Sequence, residues 1–261
     1  MSDGNPILEV DGVSKAFGGV HAVERATLDV RPASITALIG PNGAGKTTLF
    51  NVITGFVRAD GGRIDYAGRS IFGSAPHAIA RRGLVRTFQI TKALAAMPVI
   101  DNMTLAAPRQ PGERLANVLL RPRSTRARER EVRERALRLL DVFGLAAQAD
   151  HYAGTLSGGQ RKLLEFARVL MAEPRLVLLD EPMAGINPTL GGRLLEHVRE
   201  LRERHGVTFL FIEHDLDVVM RHSDRVIVMA QGEVIADGTP GAVRRDPRVI
   251  DAYLGGARID R

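Results

Sequence analysis

Apolar and polar residues alternate along Leu8–Val13 and again along Val20–Val30. That period of two belongs to strands with one buried face, and Phe17-Gly18-Gly19 joins the two runs. The pattern then changes. Ile35–Ile39, Leu176–Leu179 and Val207–Ile212 are short, unbroken apolar runs, the mark of strands covered on both faces in a parallel sheet. Arg63–Ile71 reads as one alternating strand after the turn Ala59-Asp60-Gly61-Gly62, and Leu84–Phe88 as another. Arg225–Met229 and Glu233–Ala236 form a closing pair around Gln231-Gly232. Helices are predicted over Thr47–Thr54, Pro76–Arg82, Thr189–Arg204, Pro240–Arg245 and Pro247–Leu254. Another follows Gln160, with Leu163, Leu164, Ala167, Leu170 and Met171 on one face.

One region departs from this strand-and-helix rhythm. From Ile90 to Ala153 the chain is broken by Pro98, Pro108, Pro111 and Pro122. A helical period appears from Arg126 to Phe143, with Val132, Ala136, Leu139, Leu140 and Phe143 on one face and Gly144 as its C-cap. The expected architecture is α/β: a core of residues 1–89 and 154–261 carrying an antiparallel β layer, with an inserted helical subdomain at 90–153.

Composition narrows the classes. With 261 residues, 44% of them hydrophobic, the chain can bury a sizeable core. It has no Cys, which excludes disulfides and thiolate metal sites. No apolar run approaches the roughly 18 residues of a membrane span, and the first residues show no secretory pattern. The expectation is a soluble, cytoplasmic protein. The net charge of +6 is carried mostly by Arg, with an excess between Arg109 and Arg138. Such a patch can attract nucleic acid or a membrane surface. The interleaved Glu129, Glu131 and Glu134 favour a solvated helix face instead, so no nucleic-acid partner is expected.

The candidate chemistry centres on Gly40-Pro-Asn42-Gly43-Ala-Gly45-Lys46-Thr47-Thr48. It matches G-x-x-x-x-G-K-[ST], lies after an apolar strand and opens a helix, as a P-loop must. Its backbone N–H groups can surround phosphate oxygens. Lys46 would reach the β- and γ-phosphates and the Thr47 hydroxyl would bind Mg²⁺. The apolar strand ending in Asp180-Glu181 then has the Walker B form, with Asp180 toward Mg²⁺ and Glu181 toward the attacking water. Other signals are weaker by themselves. Phe17 offers a flat face for a purine or is an ordinary core or surface residue. Gln89 at a strand end can bond Mg²⁺-bound water. Ser157 is a good N-cap residue for the helix after Gly158-Gly159. His214 follows an apolar strand at the sheet edge where phosphates lie.

Taken in order, the P-loop, Gln89, Leu156-Ser157-Gly158-Gly159-Gln160, Asp180-Glu181 and His214 resemble the ATP-binding subunit of an ABC transporter, over essentially the whole chain. The resemblance implies a P-loop NTPase fold of the ABC type and binding of ATP and Mg²⁺. It casts Phe17 as the adenine platform and Gly40, Asn42, Gly43, Gly45, Lys46, Thr47 and Thr48 as the phosphate cradle. Thr47, Gln89 and Asp180 would hold the metal, directly or through water. Glu181, His214, Gln89 and Lys46 would serve hydrolysis. Ser157, Gly159 and Gln160 would contact the ATP of a second ATP-binding subunit, like or unlike this one.

Val85–Gln89, Glu181–Pro188, Glu213–Met220 and Ala252–Gly255 are similar to the branched-chain amino acid importers. Relatives serving amides, urea or lipopolysaccharide export share such motifs, and a non-transport ATPase acting on nucleic acid is a more distant alternative. The implied partners are transmembrane permease subunits and, indirectly, a substrate-binding protein. The implied location is peripheral, on the cytoplasmic face of the inner membrane. Residues from Ile90 to Pro108 are expected to receive a membrane subunit, with Ala95, Met97, Val99 and Ile100 either docking it or forming subdomain core. One position departs from the pattern: Asn187 stands where Asp is usual.

Overall fold

The computed structural model describes residues 5–87, 94–108 and 122–255. They fall into two compact units. The first is drawn from Met1–Arg86, Arg175–Met183 and Leu195–Arg261, the second from Thr87–Pro174 and Ala184–Leu194.

The first unit holds two sheets. Strands β1 (Leu8–Phe17), β2 (Val20–Val30), β4 (Gly61–Tyr66) and β5 (Arg69–Ser70) make an antiparallel sheet of order β2-β1-β4-β5. The second sheet runs β10-β9-β3-β8-β7-β6, from β3 (Ile35–Ile39), β6 (Leu84–Arg86), β7 (Leu176–Asp180), β8 (Thr208–Ile212), β9 (Arg225–Ala230) and β10 (Glu233–Gly238). Every residue of β3, β7 and β8 is buried, which is why their sequences do not alternate. The pairing is parallel from β9 to β6, and only β10 is antiparallel.

Register decides where the chemistry falls. Leu38 of β3 and Asp180 of β7 both pair with Ile212 of β8. The three strands therefore end together, and the turns that follow share one edge of the sheet. The helix Lys46–Ile53 leaves that edge and buries Leu49, Phe50, Val52 and Ile53. One core joins these side chains to Val10, Val13 and Leu28 of the antiparallel sheet and to Leu38, Leu176 and Leu210 of the parallel sheet. Each such side chain contributes about 1.5–3 kcal/mol through its burial.

Two elements differ from the sequence expectation. The single strand over Arg63–Ile71 is instead the hairpin of β4 and β5, turned by Ala67 (φ 50°) and Gly68 (φ 72°). Two positive φ angles in succession give the type I′ turn that suits hairpins. Ala is an unusual first residue for it, so the turn was hidden. The helix expected from Arg126 begins at Pro122. The strand expected to reach Phe88 pairs from Leu84 to Arg86, and Phe88 lies outside the described residues.

In the second unit the helices Val99–Leu105, Pro122–Val142 and Gly158–Met171 pack on one another. Phe143 and Phe166 meet edge to face, 5.5 Å between centroids at 89°. Asn102 is fully buried, and its amide donates to the carbonyls of Leu94, Met97 and Pro98. It fixes the stretch before its own helix. Val99 and Ile100 are core residues here, not a docking face, whereas Ala95 is exposed. The helix Pro188–His205 starts in this unit and passes into the first after Leu194. Among the described residues no helix is long and apolar enough to cross a membrane.

Candidate functional site

The turn after β3 is held by close backbone approaches. A Cβ on Gly40 would lie 2.0 Å from the Met229 carbonyl oxygen, and one on Gly45 2.1 Å from that of Ala22. Both residues also have positive φ, at 148° and 95°. Only glycine meets both demands. Gly45 caps the helix Lys46–Ile53 without a side chain, so the first N–H groups of that helix stay available to an anion.

Lys46 is buried, and its ammonium donates to the carbonyls of Gly40 at 2.7 Å and Pro41 at 2.9 Å. Burial lowers its pKa below the usual lysine value, and the nearby Glu181 and Asp180 carboxylates oppose that fall. A cavity of about 210 Å³ opens beside it, lined by residues 42–48, Glu181 and His214. Asn42, Gly43, Gly45, Lys46, Thr47 and Thr48 are therefore gathered with the two groups expected to act on a phosphate, and Gly40 opens their turn.

Glu181 follows β7 directly. Its backbone takes φ 49°, a left-handed conformation that costs a non-glycine residue of order 1–3 kcal/mol. The N–H of Glu181 donates to the Ile212 carbonyl at 3.0 Å, which ties the turn to the end of β8. Its carboxylate Oε1 accepts from His214 Nε2 at 2.6 Å. Beside them Glu213 is buried; its Oε1 accepts from the Met183 N–H at 2.9 Å and its Oε2 from the His214 N–H at 3.2 Å. Burial raises the Glu213 pKa above the usual carboxylate value, while the two N–H donors pull it down.

Asp180 is also buried. Its Oδ2 accepts from Arg86 Nη2 at 2.5 Å, with both side chains almost wholly enclosed. Arg86 Nη1 donates to Asn51 Oδ1 at 2.6 Å, and the guanidinium lies 5.7 Å from the Phe50 ring centroid. The arginine thus links the last residue of β6, the helix after the P-loop and the end of β7.

The remaining expected residues lie apart from this cavity's lining or outside the described chain. Phe17 ends β1 and is 49% exposed, with the Lys15 ammonium 5.1 Å from its ring centroid. Gln89 lies outside the described residues. Ser157, Gly159 and Gln160 belong to the second unit, where they open the helix Gly158–Met171. Ser157 Oγ accepts from the Gln160 N–H at 3.2 Å, and Gln160 Oε1 accepts from the Ser157 N–H at 2.9 Å. This reciprocal pair is a capping box. Asn187 Oδ1 accepts from the Thr189 N–H at 2.8 Å, so it serves the helix start as an aspartate would, without the charge.

Arg86, Asn51 and Glu213 escaped the sequence reading. Each had a signal: a charged or amide group inside or directly after an apolar run. Such a group must find a partner when buried.

The sequence profile described as ABC transporter matches residues 23–184. This chain belongs to the ATP-binding cassette family of ABC transporters. The phosphates for which the P-loop of the cassette is built are those of ATP. A second profile, described as branched-chain amino acid ATP-binding cassette transporter, matches residues 233–258 of the cassette. A relative from Archaeoglobus fulgidus is 44% identical over 95% of each chain and is named a probable branched-chain amino acid transport ATP-binding protein, LivG. One from Pseudomonas aeruginosa, also 44% identical, covers 97% of the cassette and 99% of its own chain. It is named a high-affinity branched-chain amino acid transport ATP-binding protein, BraF. The crystal structure of the ADP conformation of another ABC transporter cassette superposes with a TM-score of 0.82. That structure is 39% identical, over 97% of this chain and 100% of that one. A nucleotide-free cassette gives 0.81 at 38% identity, over 95% and 98%.

Proposed function

We propose that this cassette hydrolyses ATP to drive uptake of branched-chain or other hydrophobic amino acids through membrane permease subunits. One observation carries the reading: the phosphate cradle, Glu181 and His214 line a single cavity. In this reading the P-loop N–H groups and Lys46 bind the phosphates. Glu181 orients the attacking water and takes its proton. His214 steadies Glu181 and contacts the γ-phosphate.

The donor set suits Mg²⁺. Thr47 and Asp180 offer hard oxygen ligands. Among the described residues no cluster of three or more His, Cys, Asp or Glu could hold a metal alone, which fits an ion arriving with the nucleotide. When bound, it would neutralise charge on the β- and γ-phosphates. Gln89 would complete its contacts, directly or through water.

Ser157, Gly159 and Gln160 would meet the ATP held by a second, like or unlike cassette, closing a head-to-tail dimer. The cassette then sits peripherally on the inner face of the membrane, and a substrate-binding protein delivers the cargo to the permeases. Phe17, exposed at the end of its strand, would stack on the adenine ring.

The test is co-purification from membranes with the cassette tagged, alongside uptake of labelled leucine in cells lacking it. Recovery of multi-spanning subunits together with loss of leucine uptake is the expected result. Recovery of nucleic acid without membrane proteins would overturn the transport reading.

A further inference from the structure

Glu213 is neither in the P-loop nor among the residues that line its cavity, yet it joins the two loops that carry Glu181 and His214. It is 5% exposed at the end of β8. One carboxylate oxygen accepts the N–H of Met183, two residues after Glu181, and the other accepts the N–H of His214. Each loop also has its own tie. The Glu181 N–H holds the Ile212 carbonyl at 3.0 Å, and the Glu181 and His214 side chains meet at 2.6 Å. The result is a closed frame of two backbone segments and two side chains, with one buried carboxylate bridging the backbones. Glu181 needs such a frame, because its φ of 49° is not one that a non-glycine residue holds unaided. Bonds from backbone N–H groups to a charged acceptor are among the stronger neutral–ionic contacts available inside a protein.

We infer that Glu213 is a positioning residue for hydrolysis: its carboxylate clamps the loop after β7 to the loop after β8, so that Glu181 and His214 face the phosphate in register. The inference rests on the roles proposed above for those two residues. It predicts an effect on the chemical step with nucleotide binding spared, because Glu213 lies outside the cradle that binds the nucleotide.

The test is Glu213→Gln, which keeps size and packing. A glutamine amide can accept from only one of the two N–H groups, and its NH₂ opposes the other. Steady-state hydrolysis should show kcat lowered on the order of 10- to 100-fold, the scale of losing a bond to a charged group. KM and Kd for ATP should stay within about twofold. In nitrogen NMR of the folded cassette, the His214 Nε2–H resonance should shift as the contact with Glu181 loosens. Glu213→Asp, which retains the charge but falls short of one donor, should lie between wild type and Glu213→Gln. If Glu213→Gln fails to fold, Glu213→Asp must by itself lower kcat and shift the His214 signal while leaving the Kd for ATP within about twofold. Wild-type kcat in both variants would overturn the inference. So would a loss of thermal stability with an unmoved His214 signal. Glu181→Gln is run in parallel: if it too turns over normally, the catalytic reading fails, whereas slow Glu181→Gln with normal Glu213→Gln defeats the clamp alone.

Discussion

His214 donates through Nε2 to Glu181 Oε1 at 2.6 Å, and the two side chains reach each other from the ends of neighbouring parallel strands. A short bond of this kind fixes the carboxylate at the cavity wall. Replacing Glu181 by Gln keeps the shape and removes the proposed base. A positioned base contributes about 10²–10⁴-fold, or roughly 3–5 kcal/mol of barrier. Single-turnover hydrolysis should slow by that factor while ATP still binds. His214→Ala should lose on the order of 10²-fold. Near-normal turnover in either variant would remove that residue from the proposed mechanism.

Lys46 bonds two carbonyls of its own loop, and in the proposed reading it exchanges at least one of them for a phosphate oxygen when the nucleotide binds. The exchange is favourable because phosphate oxygens carry charge and carbonyls do not. Lys46→Ala should raise the ATP dissociation constant about 10- to 100-fold, read by titration with a fluorescent analogue. Unchanged affinity would mean that the backbone cradle binds phosphate without help from the lysine.

The Arg86–Asp180 pair is more deeply buried than the other ion pairs among the described residues, and its loss should be felt in stability. Arg86→Met removes the positive charge held against a buried carboxylate, a change worth about 3–5 kcal/mol. Urea denaturation should show that fall. Adding Asp180→Asn should recover part of it, because an amide is cheaper to bury than an ionised carboxylate. A loss below about 1 kcal/mol, or no recovery in the double variant, would show the pair to be dispensable to the fold.

Much of this was legible in the sequence, for identifiable reasons. The P-loop declares itself because Gly40 and Gly45 are forced by carbonyls at 2.0 and 2.1 Å from where a Cβ would stand, and only glycine serves there. The strands β3, β7 and β8 show as apolar runs because both their faces are covered. The order of those strands is not local information. Nothing near Asp180 in the chain announces Arg86, and nothing near Met183 announces Glu213. The hairpin of β4 and β5 was missed because alternation continues across the turn and Ala67 hides the positive φ that glycine would have advertised.

Tyr66 gives a prediction with the opposite sign. Its side chain is 1% exposed, and among the described residues its hydroxyl has no hydrogen-bond partner. A buried hydroxyl without a partner opposes folding by about 1–3 kcal/mol. Tyr66→Phe removes it at little change in volume and should raise stability by about 1 kcal/mol at neutral pH. Burial also pushes the phenol pKa up from 10.0 to about 12. The folded state therefore holds the proton more tightly than the unfolded chain. Its contribution is complete below the unfolded pKa and is lost as pH rises from there through the folded value. Wild-type stability should fall over that alkaline window, and Tyr66→Phe should flatten the fall, as thermal melts across pH 9.5–12 would show. If Tyr66→Phe is instead less stable by more than about 1 kcal/mol, the hydroxyl is bonded, to water or protein, and the alkaline prediction goes with it.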